Sequence, residues 1–243
     1  MISSITKCII GARLAIENAE RHHQCAIHLS NIREFGIAQS YLILGVEEAI
    51  KSAFLYLKGI GIPLRQKQLN NLLFRHKPRH EIGGGVHVVF MVLFWVIDIL
   101  KDTLEKAADI TPPGIIQMRK QAFQKIIMEL QKSASSDSFE SEINRMVIPV
   151  ISWWENADMM KKNGFYVDFQ NSNWISPQFI KKEDYLYSLK IASDVIQNIK
   201  KGYHLIESQS ETERMKMVSE MKCQYKRALK LYKTKKPHKD RED

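Results

Sequence analysis

The stretch AQSYLILGVEEAIKSAFLYLKG, residues 38–59, decides the fold class of this chain. Its apolar residues recur at steps of three and four, which is the spacing of one face of an α-helix. That face consists of Leu42, Val46, Ala49, Ile50, Ala53 and Leu57, with Leu44 and Leu55 on its flank. Gly59, Gly61 and Pro63 end the pattern. The stretch therefore predicts a long amphipathic helix.

A second long helix is predicted over residues 4–33, ahead of the break at Gly36. The residues of its seam are mostly small: Ile5, Cys8, Ala12, Ala15, Ala19, His22, Ala26 and Leu29. Small side chains let a neighbouring helix approach closely, and a short connection makes the two helices antiparallel. This pair is expected to begin a helical bundle.

The rest of the chain is also mostly helical in its patterns. After a short helix or loop around 69–74, helices are predicted over 86–108, 115–132, 138–162, 182–206 and from Ser210 onward. Ser210 and Glu213 have the spacing of a capping box. The single strand-like stretch, 165–169, is followed by a turn at 171–173. We predict an all-α bundle with additional C-terminal helices and a short hairpin near 165–174, as one domain over 1–232 and a basic flexible tail over 233–243.

Composition narrows the class of protein further. The chain has 243 residues and a net charge of +9, which favours an anionic partner such as nucleic acid or an acidic protein. Cys8, Cys25 and Cys223 have neither a disulfide framework nor a zinc spacing, as in reduced cytoplasmic proteins. The N-terminus has no signal-peptide core, and the apolar run 88–97 is shorter than the roughly 20 residues that span a bilayer. We expect a cytoplasmic protein with no membrane segment, no metal and no cofactor.

The sequence RHKPRH, residues 75–80, is the densest group of basic side chains. Cations this close repel one another unless they are exposed or hold an anion. Pro78 is tolerated at the start of a helix, so a turn near Lys77 would aim backbone N–H groups and the Arg75 guanidinium at one point. This arrangement suits a phosphate group, although a solvated basic loop is the alternative.

Cleavage of RNA needs only residue types that this cluster contains. A base takes the proton of the 2′-hydroxyl, a cation stabilises the phosphate, and an acid protonates the leaving oxygen. Histidine suits the proton transfers and arginine suits the charge. Arg75 and His80 have the spacing R-x4-H, but Arg21 and His28 have R-x6-H within one continuous helix. The spacing therefore carries little weight without its context.

Two adjacent carboxylates lie in the helix predicted over residues 38–59. Glu47 and Lys51, four residues apart, predict a surface ion pair. Glu48 lies on the flank of the apolar face, where a carboxylate needs a partner. Arg75 is the partner we expect, and Glu48 would then hold the guanidinium in position.

Three blocks of sequence resemble the AbiV abortive-infection family. Residues 15–21 (AIENAER) and the stretch from Ala38 to Lys51, which ends LGVEEAIK, are similar to its first two helices. Residues 74–79 (FRHKPR) resemble its Phe-x-His-Lys-x-Lys stretch, with Arg79 where lysine is usual. Residues 162–168 (KNGFYVD), followed by Ser176-Pro177, resemble its "K-x-x-G-L-Y-V-D … S-P" segment. The blocks occur in the family's order over about residues 12–180.

The resemblance implies a HEPN-type helical bundle, usually a homodimer, that acts in bacterial defence against phage. HEPN proteins commonly cleave RNA, with R-x4-6-H motifs that face each other across the dimer cleft. The family's histidine aligns with His76, whereas the R-x4-H spacing selects His80, and both stay open. Tyr166 and Asp168 are expected to attach the last helices to the bundle rather than to line the cleft.

These observations lead to a metal-independent endoribonuclease that arrests host translation when infection triggers it. Arg75 would stabilise the phosphate, His80 or His76 would move protons, and Glu48 would orient Arg75. The residues expected to bind RNA or phosphate are Lys51, Lys77, Arg79, Lys226, Arg227 and Lys230. A phage-encoded activator or inhibitor is a further expected partner. The alternative is a non-catalytic module that binds RNA, the ribosome or a phage protein.

Overall fold

Helices dominate the computed structural model of the chain, which describes residues 5–75, 79–80, 83–85, 87, 137–170 and 172–235. The helices are α1 (Ile5–Asn31), α2 (Phe35–Gly59), α3 (Gln66–Phe74), α4 (Asp137–Phe165), α5 (Lys182–Glu207) and α6 (Glu211–Lys235). The predicted all-α class is therefore confirmed. Among these helices none is long and apolar enough to cross a membrane. The helices predicted over 86–108 and 115–132 lie outside the described residues.

A two-stranded antiparallel hairpin follows α4. Strands β1 (Asp168–Gln170) and β2 (Asn173–Ile175) pair with Phe169 opposite Trp174, and a 3-10 turn (Pro177–Phe179) comes next. The hairpin predicted near 165–174 is confirmed, but the strand expected over 165–169 begins later. Phe165 is still the last residue of α4.

The chain divides into two compact units. The first unit combines residues 1–79 with 158–243, and the second contains residues 80–157. The first unit therefore consists of two separate stretches of sequence. The predicted single domain over 1–232 stays a prediction.

The α1–α2 pair forms the centre of the first unit. Ser52 Oγ donates to the carbonyl oxygen of Ala12 at 2.5 Å. A Cβ at Gly45 would lie 3.1 Å from the carbonyl oxygen of Ala19. Later residues of α1 meet earlier residues of α2, so the helices are antiparallel. The small seam of α1 is buried as predicted, at Cys8, Ala12, Ala15, Ala19 and Ala26. Because these side chains are small, backbone and side-chain atoms of the two helices come into direct contact.

Helix α5 covers the central pair along one amphipathic face. Its buried residues include Tyr185, Ser188, Ile191, Ala192, Val195, Ile196 and Ile199. Two polar contacts fix its position: Gln39 Nε2 donates to Ser188 Oγ at 2.9 Å, and His23 Nε2 lies 2.8 Å from Ser193 Oγ. These contacts attach α5 to both helices of the pair.

Helix α6 begins with the predicted capping box. Glu213 N donates to Ser210 Oγ at 3.4 Å, and Ser210 N donates to Glu213 Oε2 at 3.2 Å. The capping box is confirmed. The helix continues to Lys235, so residues 233–235 of the predicted tail are helical, and 236–243 lie outside the description.

The family-like segment after Lys161 packs against the start of α2. A Cβ at Gly164 would overlap Ser40 Oγ and the carbonyl oxygen of Gly36, and a Cβ at Gly36 would overlap the backbone of Pro177. Ser40 Oγ also donates to the carbonyl oxygen of Lys161 at 2.8 Å. These close approaches hold the end of α4 and the 3-10 turn against α2. Gly164 lies inside α4, and the absence of a side chain at this position permits the close contact with α2.

Candidate functional site

Arg79, inside the basic cluster, is buried, with 6% of its surface exposed. Its Nε donates to the carbonyl oxygen of Leu72 at 2.7 Å, and its Nη2 donates to that of Leu73 at 2.7 Å. Carbonyls in the last turn of a helix have no partner within the helix. The Arg79 guanidinium therefore caps the C-terminal end of α3.

The third guanidinium nitrogen of Arg79 binds a buried carboxylate. Arg79 Nη1 lies 3.3 Å from Glu47 Oε2, and Lys161 Nζ lies 2.6 Å from Glu47 Oε1. The Glu47 side chain is only 1% exposed, and a charge buried that far from water needs compensation from its neighbours. We call Arg79, Glu47 and Lys161 the buried triad. It joins the end of the basic cluster to α2 and to the last turns of α4.

Asp158 extends the triad toward the surface. Its Oδ1 lies 3.5 Å from Lys161 Nζ, and its Oδ2 lies 2.7 Å from Lys162 Nζ. Two cations on one carboxylate leave the triad with a net positive charge. Because Asp158 pairs with Lys162 as well as with Lys161, this larger group of side chains keeps a net positive charge at its partly exposed edge.

The carboxylates of Glu47 and Glu48 have positions that the sequence analysis did not predict. Glu48 forms its ion pair with Lys51 at 2.5 Å, and in the described part of the chain no ion pair joins it to Arg75. The expected surface pair of Glu47 with Lys51 is also wrong, because Glu47 is buried. Helix α2 is buried around most of its circumference, so the side opposite the predicted apolar face carries core residues too.

Arg75 directly follows α3 and is exposed. Its backbone N–H donates to the carbonyl oxygen of Asn71 at 2.9 Å, while its side chain has no ion pair within the described ranges. The two arginines of the cluster thus differ in availability. The predicted phosphate-binding role does not fit Arg79, because all three of its guanidinium nitrogens have internal partners. Arg75, which is exposed, is the arginine of the cluster whose position suits contact with an external anion.

His80 belongs to the second unit and is 7% exposed. Its ring lies edge-on to the Trp154 indole, with centroids 6.3 Å apart. Trp154 Nε1 also donates to His87 Nδ1 at 3.3 Å, and burial lowers the pKa of His87 to about 4. His87 is therefore neutral near pH 7, and in the described part of the second unit its Nε2 has no hydrogen-bond partner. Both histidines share contacts with one tryptophan.

The other predicted site residues are distributed as follows. His76 and Lys77 lie outside the described residues, together with the turn expected there. Lys226 and Arg227 are exposed on α6; Lys230 belongs to α6, but its side chain is outside the description. Their roles in binding RNA stay predictions. Among the residues that the structure describes, no group of histidine, cysteine and carboxylate side chains could hold a metal ion.

Glu47 and Lys161 are the site residues that sequence reasoning missed. The signal for Glu47 was present: Gln39, Ile43, Glu47 and Ile50 recur at steps of four, four and three, which places the carboxylate between two isoleucines. Lys161 had no comparable signal. It precedes the family-like segment by one residue, and only the packing of Gly164 on α2 brings it to Glu47.

Comparison with models of known protein families identifies the family of this chain. The family model HEPN_AbiV, described as AbiV, matches residues 7–197. Searches against curated proteins and against solved structures gave no match. The matched interval contains all of α1 except its first two residues, all of α2 to α4, most of α5, and all members of the buried triad.

Proposed function

Because the chain belongs to the AbiV family of HEPN proteins, which implies abortive-infection defence against phage, we propose that it is a metal-independent endoribonuclease. Its activity, triggered by infection, arrests host translation. The exposed guanidinium of Arg75 is the observation that supports this proposal best. The capping of α3 by Arg79 fixes the position from which Arg75 extends.

The proposed chemistry uses few groups. Arg75 binds the scissile phosphate and stabilises the charge that develops when the 2′-hydroxyl attacks it. A histidine takes the hydroxyl proton, and protonation of the leaving 5′-oxygen completes the cleavage. The products are a 2′,3′-cyclic phosphate and a 5′-hydroxyl. Lys51, Lys226 and Arg227 add electrostatic attraction for the RNA backbone.

His76 is the stronger candidate for the proton transfers. It occupies the histidine position of the family's Phe-x-His-Lys stretch, whereas His80 is buried against Trp154. A buried ring in contact with an indole suits a histidine that maintains local structure. We therefore assign the direct role to His76 and a supporting role to His80.

The test is cleavage of total RNA by the purified chain in excess EDTA, with and without extract from phage-infected cells. Variants Arg75→Ala and His76→Ala should each lose cleavage by at least about a hundredfold, as for other acid–base and charge-stabilising groups. Arg65→Ala is the matched control, because Arg65 is an exposed arginine at the other end of α3. It should cleave like the wild type, and the products should end in 2′,3′-cyclic phosphates.

The same experiment decides between His76 and His80. His80→Gln removes the titratable group while keeping a polar side chain, and thermal unfolding reports whether the fold survives. Loss of cleavage with an unchanged melting temperature would transfer the direct role to His80. RNA that stays intact under every condition would overturn the nuclease proposal.

The second candidate function is a non-catalytic module that binds RNA, the ribosome or a phage protein. The burial of His80 favours it, since this histidine of the R-x4-H spacing lies inside the protein. Under this alternative, Arg75 is only an anion-binding residue. RNA binding that depends on Arg75 without any cleavage would support it.

A further inference from the structure

Phe74 is the most exposed large apolar side chain of the described residues, at 77%. It is the last residue of α3 and directly precedes Arg75. The Arg79 guanidinium donates to the carbonyl oxygens of Leu72 and Leu73, the two residues that precede Phe74. The ring therefore projects from a backbone that is capped and held to the buried triad.

A groove of about 380 Å³ lies beside this ring, between α1, α2 and the end of α3. Its apolar lining is Gly11, Leu14, Ala15, Leu55, Leu73 and Phe74, and its polar lining is Asn18, Arg21, Glu48 and Lys51. Glu48 and Lys51 form an ion pair, so together they are neutral and Arg21 gives this lining its net positive charge. Leu14 is 57% exposed, so the lining presents apolar surface to water.

An exposed aromatic ring among cations is the pattern of proteins that bind single-stranded nucleic acid. Bases stack on the ring, and arginine or lysine contacts the phosphates. Scattered apolar residues on a surface need no explanation, but Phe74 lies in a groove with Arg21 and Lys51 and is followed by Arg75. The groove has the volume of an ordinary small-ligand site.

We infer that this groove binds one unpaired nucleotide of the RNA, with its base stacked on Phe74 and its phosphate near Arg21 and Lys51. The inference rests on the proposed function, because it takes RNA as the substrate. It adds a preference for single-stranded over double-stranded RNA, since a paired base cannot leave its stack for Phe74. The bound nucleotide neighbours the phosphate that Arg75 contacts.

The experiment measures binding of a fluorescently labelled single-stranded oligonucleotide with 2′-O-methyl groups, which cannot be cleaved through the 2′-oxygen. Phe74→Ala should weaken binding about tenfold, the effect expected for loss of one stacked base. Phe74→Tyr keeps a stacking ring and should bind within about twofold of the wild type. Phe179→Ala is the matched control, because Phe179 is 66% exposed and does not line the groove.

The outcomes separate this inference from the proposed function. Equal affinity of Phe74→Ala and wild type, or no binding at all, would overturn the base-stacking role whether or not the wild type cleaves ordinary RNA. Binding that depends on Phe74 without cleavage would support the groove and count against the nuclease. A change in oligomeric state of Phe74→Ala, measured by light scattering, would assign the ring to an interface between copies and overturn the inference.

Discussion

Glu47 and Glu48 are neighbours in sequence, but their carboxylates lie in different environments. Glu47 is 1% exposed between Arg79 and Lys161, whereas Glu48 shares a partly exposed ion pair with Lys51. A buried pair loses far more free energy than a surface pair when one member is removed, because an uncompensated charge remains inside. The same substitution at the two positions therefore compares the contribution of a buried carboxylate to stability with that of a partly exposed one.

Glu47→Gln should lower the free energy of unfolding by about 3–5 kcal/mol, because it removes the negative charge that lies between the buried Arg79 and Lys161 side chains. Glu48→Gln should change it by less than about 1 kcal/mol, as expected for a surface ion pair. Urea unfolding followed by circular dichroism measures both values. Equal effects would show that the triad contributes no more than a surface interaction.

The burial of His87 should make the stability of the protein depend on pH. Its folded pKa of about 4 lies below its ordinary value of 6.5, because burial disfavours the charged ring. The unfolded chain therefore binds the proton more strongly between these two pH values. Stability is fully present above about pH 6.5 and falls as the pH is lowered toward 4, by at most about 3 kcal/mol.

His87→Gln should reduce this loss, since an amide does not titrate and can still accept from Trp154 Nε1. The measurement is urea unfolding at about pH 5 and about pH 7.5, followed by tryptophan fluorescence. His204→Gln, at an exposed histidine of α5, is the control and should retain the wild-type difference. If both variants behave alike, His87 is not the source of the acid sensitivity.

At the scale of elements, the attachment of α4 to α2 depends on a glycine. Gly164→Ala should destabilise the protein by about 1–3 kcal/mol or more, because the new Cβ would overlap Ser40 and the Gly36 backbone. Gly202→Ala, inside α5 with open space around it, should instead stabilise by roughly 0.5–1 kcal/mol. Melting temperatures of the two variants should move in opposite directions. A stable Gly164→Ala protein would contradict the close packing described here.

The sequence predicted the elements better than it predicted their contacts. Helical periodicity identified α1, α2 and α5 within a few residues, and the capping box at Ser210 was correct, because both signals are local. The burial of Glu47 was missed because α2 is covered on most sides, so its polar positions are not all on the surface. A single apolar face can be read from spacing, whereas a second buried side depends on which elements pack there.

In the candidate site too, the residue types were easier to predict from the sequence than the contacts between them. The cluster at 75–80 was identified from residue types alone, but its two arginines have opposite environments. The partner of Arg79 is a carboxylate 32 positions earlier, and that carboxylate's other partner is 114 positions further on. No spacing rule relates residues so distant in sequence. Chemistry could be predicted from composition, but the roles of individual residues required tertiary contacts.

At the scale of the whole molecule, we expect a homodimer, because the family resemblance implies active sites that face each other across a dimer cleft. Light scattering at micromolar concentration should give about twice the 28.2 kDa mass of one chain. A monomer at that concentration would remove the shared-cleft mechanism, although it would leave RNA binding in the Phe74 groove to be tested separately.

The divided first unit has a consequence for the order in which the protein becomes complete. A ribosome releases α1 to α3 long before Lys161, which follows Glu47 by 114 positions, so the Glu47 carboxylate lacks its second cation until the chain has been synthesised past Lys161. Such distant contacts form late, because a long loop must close first. A prematurely terminated chain that ends before Lys161 cannot build the triad that holds Arg79. The buried triad is therefore completed only after the ribosome has passed Lys161, well into the C-terminal half of the chain.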